Sequence, residues 1–94
     1  MRIHKNLSDL ADQLTRARED LRIIEEQLVF QTDVVEEAKT RMLVSETPVA
    51  DQEFRIARDD LDRLGHQRER LTAEVDELRR EQDRLLDRML GSRA

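Results

Sequence analysis

"RMLVSETPVADQEF", Arg41 to Phe54, stands near the middle of a 94-residue chain and holds its only proline, Pro48. On both sides the sequence is highly charged and its apolar residues recur at regular spacing. The stretch therefore decides between one continuous helical rod and a chain that folds back on itself. Pro48 has no N–H, and inside a helix its ring would collide with the carbonyl of Val44. It suits the first position of a new helix, with Thr47 before it as the cap. These residues predict a turn over Ser45–Glu46–Thr47. It joins a first helix of about 6–44 to a second of about 48–90, within a single hairpin over residues 1–94.

The spacing on either side agrees. Helix 1 carries heptad a and d positions at Ile3, Leu7, Leu10, Leu14, Ala17, Leu21, Ile24, Leu28, Gln31, Val35, Ala38 and Met42, eleven of the twelve apolar. Helix 2 carries them at Phe54, Ala57, Leu61, Leu64, Arg68, Leu71, Val75, Leu78, Gln82, Leu85 and Met89, nine of the eleven apolar. Heptads sustained this long are the mark of a coiled coil. From Met42 to Phe54 the phase jumps by five residues beyond a heptad, a slip that neither a stutter nor a stammer supplies. A short connection between two long helices makes them antiparallel neighbours. The predicted fold class is thus all-α, an antiparallel two-helix coiled-coil hairpin that can dimerise into a four-helix bundle.

In an antiparallel pair, residues on the two helices are level when their numbers share a constant sum. One register matches every d of one helix with an a of the other. It sets Ala38 opposite Phe54, Val35 opposite Ala57 and Ala17 opposite Val75, so that large side chains meet small ones. It also brings Arg41 to Glu53 beside the turn. Within the helices, Arg16–Asp20 and Arg70–Glu74 are spaced to form i,i+4 ion pairs.

Composition fits long helices rather than a globule. Hydrophobic residues make up 37% and charged residues 41%, and the only aromatics are Phe30 and Phe54. No bulky core can be built from that supply. There is no cysteine, hence no disulfide framework and no thiolate metal site. The N-terminus has no apolar leader segment and no run approaches membrane-spanning length, so the expected location is cytoplasmic. Net charge is −5. Residues 1–47 carry seven basic and ten acidic groups, residues 48–94 ten and twelve. Neither half offers the clustered positive charge that a phosphate backbone or an anionic membrane surface requires. Direct nucleic-acid and membrane partners are therefore not expected.

Three departures from the heptad pattern stand out. Arg68 occupies a core position opposite Ile24, with Glu25 beside it, and the expected arrangement is an ion pair that fixes register. Gln31 and Gln82 read as further polar register layers. Gly65 lies one turn from Arg68, in a helix interior where glycine costs about 1 kcal/mol relative to alanine.

A second apolar set lies outside the a/d seam. Ile23, Phe30, Val34 and Val44 belong to helix 1; Val49 and Ile56 fall on the same side from helix 2. A two-helix hairpin cannot bury both sets, so this side is the candidate protein interface, either with a second copy or with another protein.

Motifs for chemistry are nearly absent. With glycine only at Gly65 and Gly91 there is no phosphate-cradling loop, and no serine has a His–Asp relay. Asp59, Asp62 and His66 share a face at ligand-like spacing, read here as a solvated face. No catalytic residue, metal, cofactor or small-molecule substrate is expected.

Glu46, Asp51 and Glu53 gather at the tip. In outline an acidic hairpin tip is similar to the coiled-coil fingers of bacterial transcript-cleavage factors, which present acidic residues to a catalytic magnesium. That family's globular domain has no counterpart in this chain, and the outline carries no family assignment. Two function classes follow. The first is a non-enzymatic interaction module, a small adaptor or regulator that self-associates or docks on a larger protein. The second is a transcription regulator that binds RNA polymerase or a sigma factor through the hairpin or its acidic tip.

Overall fold

Helix-favouring residues fill both halves, and the one strong breaker sits where a helix can begin rather than where it must end. The computed structural model describes residues 2–91 and shows two α-helices, α1 (Arg2–Ser45) and α2 (Pro48–Gly91). Together they form an all-α helical hairpin, with no strand among the described residues. α1 begins earlier than the spacing alone suggests, and Ser45 belongs to its last turn, so the connection is only Glu46–Thr47.

The connection is built by local hydrogen bonds. Glu46 takes a left-handed backbone conformation, φ 49°, and its N–H donates to the Met42 carbonyl at 3.1 Å. That closes the C-terminus of α1 as an αL cap does, with glutamate where glycine is usual. Thr47 then caps α2. Its Oγ1 accepts from the Ala50 N–H at 3.2 Å, and its carbonyl accepts from the Asp51 N–H at 3.1 Å. Pro48 takes the first helical position, where its missing N–H costs nothing.

Burial follows the heptad spacing. In α1 every a and d position from Ile3 to Met42 is buried or half-buried, and Val34 alone joins them from outside the seam. In α2 the seam reaches back one step further than Phe54, to Ala50, which is buried in the first turn. Arg68 is the one seam position left exposed.

The chain divides into two compact units. One spans Arg22–Glu69 and contains the turn. Small residues, Ala38, Ala50 and Ala57, are its buried positions. The Gln31 side-chain amide crosses between its helices and donates to the Ala57 carbonyl at 2.9 Å. The other unit joins the residues up to Leu21 with those from Arg70 onward. Its core is a cluster of Leu10, Leu14, Ala17, Val75 and Leu78, with Leu21 and Leu85 packed against it. Large-to-small truncation in such a cluster typically costs about 2–5 kcal/mol.

The expected ion pairs need correction. Arg68 makes no pair with Glu25; both side chains are exposed, and a long arginine carries its charge into water more cheaply than it holds one geometry. Arg16–Asp20 and Arg70–Glu74 are likewise not formed. The pairs present include Arg22–Glu26, Asp60–Arg63, and Glu77 with both Arg80 and Arg84.

Candidate protein-docking face

The position of the candidate face is fixed by one contact. Arg41 Nε lies 3.7 Å from Glu53 Oε2, which brings these edges of α1 and α2 side by side. Residues three and four apart are neighbours on a helix surface. Val44 therefore adjoins Arg41, and Val49 and Ile56 flank Glu53. On α1, Ile23, Phe30 and Val44 lie in one row of seven-residue spacing, with the exposed Glu37 between Phe30 and Val44, and Val34 stands one turn from Phe30. All six lie within Arg22–Glu69.

Five of the six are open to solvent. Ile23 is 40% exposed, Ile56 53%, Val49 67%, Phe30 71% and Val44 79%. Val34 is half-buried against the hairpin and forms the floor of the row. An isolated exposed valine needs no explanation, but one of the two aromatics together with four branched side chains on one edge, interrupted by Glu37, is a larger apolar supply than scattered surface residues provide. Val29 and Leu43 are also exposed and apolar; the heptad pattern sets them on a different edge of α1, and nothing in the sequence singles them out.

Two ion pairs lie on this face, while Glu37 carries an exposed carboxylate in its α1 row. Arg41 answers Glu53 and Arg63 answers Asp60. Each pair is largely solvated, so each contributes little to stability.

The three tip carboxylates have different settings. Glu53 is engaged by Arg41. Asp51 sits half-buried in the first turn of α2, where the helix N-terminus favours a carboxylate. Glu46 is exposed in the turn. Gln82 is half-buried in the seam of its unit, and Arg58 stacks its guanidinium 5.6 Å from the centre of the Phe54 ring.

Among the described residues no polar or charged side chain is buried, and no group of three or more His, Asp or Glu side chains could hold a metal ion. The Asp59, Asp62 and His66 set is accordingly no cluster. In the other unit a shallow groove beside Leu10 and Leu85 is rimmed by Asp9, Arg84 and Arg88. Nearby, hydrogen bonds from Arg80 and then Arg84 hold the Glu77 carboxyl below the ordinary carboxylate range. No helix among the described residues is long and apolar enough to cross a membrane.

Comparison with protein-family models, with curated proteins and with solved structures finds no match to this chain.

Proposed function

We propose that this protein is a non-enzymatic interaction module of the cytoplasm, a small coiled-coil adaptor or regulator that docks through the Ile23–Phe30–Val44–Val49–Ile56 face. The observation that carries this reading is Phe30, a phenylalanine 71% exposed in a chain with one other aromatic, set among branched aliphatic side chains. Burying such a side chain contributes on the order of 1.5–3 kcal/mol, and four or five together are comparable to the ordering cost of a modest interface. The acidic tip supports a polymerase- or sigma-binding role less well, because Glu53 is engaged by Arg41 and Asp51 is half-buried in the first turn of α2, which leaves only Glu46 as an open carboxylate.

A photo-reactive amino acid placed at position 30 of the full chain tests the reading in the cell that makes the protein. Irradiation is expected to join it to protein, either a second copy or another chain. The same probe at Asp59, on an exposed charged face, is the control. Equal yields from the two positions would overturn the assignment of the face.

A further inference from the structure

We infer that the face is occupied by a second copy of this chain, the two hairpin tips pointing the same way, so that Arg41 of each copy meets Glu53 of the other. This rests on the proposed docking face and adds its occupant and register. Charges on the face alternate between the two helices at the tip end of Arg22–Glu69. Near the tip, α1 presents the cation Arg41 and α2 the anion Glu53. Eleven residues before Arg41 on α1 stands Phe30; ten residues beyond Glu53 on α2 stands Arg63, so these two are level. Phe30 has Glu26 and Asp33 as helix-surface neighbours. At this second height Glu26 is paired with Arg22 and Arg63 with Asp60, so the feature that faces across is a guanidinium level with a ring rather than a contrast of charge.

A two-fold axis parallel to the helices lays α1 of one copy against α2 of the other at equal heights. Opposite signs then meet at the tip level. Arg41 and Glu53 form an alternating square with their symmetry mates, and Arg63 comes over Phe30 of the other copy, where a guanidinium is attracted to a ring face. Val44 and Val49 of both copies close a four-valine layer at the tip end. A two-fold interface is self-complementary by construction, and this face meets that condition.

The size is adequate. From Ile23 to Val44 is 21 residues, about 32 Å of helix at ~1.5 Å per residue. Two helices side by side span roughly 18–20 Å. The footprint is on the order of 600 Å² per copy, close to the lower bound for a specific complex and suited to a reversible dimer.

Exchange of the ion-pair charges tests the register in a way the intramolecular contact cannot mimic. Alone, the R41E chain sets four carboxylates at the square, and the E53R chain four guanidinium groups. Mixed, the introduced glutamate of one chain faces the introduced arginine of the other, and the unchanged Arg41 faces the unchanged Glu53. Sedimentation velocity on full-length chains at about 10–300 μM, with circular dichroism to confirm helicity, reads the result. The wild type is expected to dimerise, each single variant to dimerise at least ~10-fold more weakly, and the equimolar mixture to recover a heterodimer near wild-type strength. A dimer that both variants leave unweakened, or a mixture no stronger than its components, overturns the register. A wild type that stays monomeric over the whole range overturns the second copy as occupant. In that case a photo-crosslink from position 30 to another protein would leave the docking face standing, and its absence would remove the face as well.

Discussion

Arg41 on α1 and Glu53 on α2 stand 3.7 Å apart, each about half exposed. The contact reports the antiparallel register of this half of the hairpin, but solvation and side-chain entropy leave it a small share of stability. Arg41→Ala should change unfolding free energy by less than about 1 kcal/mol in the monomer. Urea denaturation at low protein concentration checks this. A large loss would mean that the pair holds the fold rather than the interface.

The turn carries opposite predictions at adjacent residues. Glu46 holds a left-handed backbone, which costs a non-glycine residue on the order of 1–2 kcal/mol, partly offset in glycine by its freer unfolded chain. Glu46→Gly should therefore stabilise the hairpin by about 0.5–1 kcal/mol. Thr47→Ala removes the Oγ1 acceptor of the Ala50 N–H and should destabilise it by about 1 kcal/mol. Thermal unfolding of the two variants should bracket the wild type.

Gly65 lies in the interior of α2, and a methyl group built there meets nothing within 4 Å. Nothing in the hairpin requires glycine at that site. Gly65→Ala is expected to raise stability by up to about 1 kcal/mol, the difference in helix propensity. A loss of stability on denaturation would show a neighbour closer than the hairpin itself provides.

Glu77 accepts from Arg80 and, one turn further on, from Arg84, and its carboxyl is held below its ordinary value. A carboxyl depressed in the folded state adds stability that is present above its unfolded pKa and lost as pH falls through the folded one. The contribution should thus fade on acidification below the ordinary glutamate range. Because the group is solvent-exposed the effect is small and screened by salt. Glu77→Gln should flatten this part of the acid melting profile at low ionic strength and change nothing in 1 M salt. An unchanged acid profile at low salt would contradict the assignment.

Most of the architecture is legible in order and spacing. Thr47–Pro48 marks the helix start, and the a/d positions of α1 are the positions that the structure buries. Ala50 is easily missed because Phe54 looks like the natural first seam residue, although the four-three spacing carried back one step reaches Ala50. Arg68 departs from expectation for a different reason. Heptad position says where a Cα sits on the helix, not whether a long charged side chain turns inward to a partner or out to water. The apolar face is legible because Ile23, Phe30 and Val44 share one row of α1 and Val49 and Ile56 a matching row of α2, whereas Val29 and Leu43, also fourteen residues apart, stand on another edge with only each other for company. Which side chains stay uncovered depends on what the seam leaves over, and that requires the packed hairpin.

Association and folding use different apolar surfaces, and two matched substitutions test this most directly. Phe30 stands 71% exposed on the docking face, while Phe54 is half-buried in the seam beneath Arg58. Sedimentation velocity with circular dichroism on Phe30→Glu and Phe54→Glu compares them on one scale. Phe30→Glu should yield a helical monomer, and Phe54→Glu should lose helicity and thermal stability. A Phe30→Glu chain that unfolds, or that sediments like an associating wild type, would contradict the separation of the two surfaces.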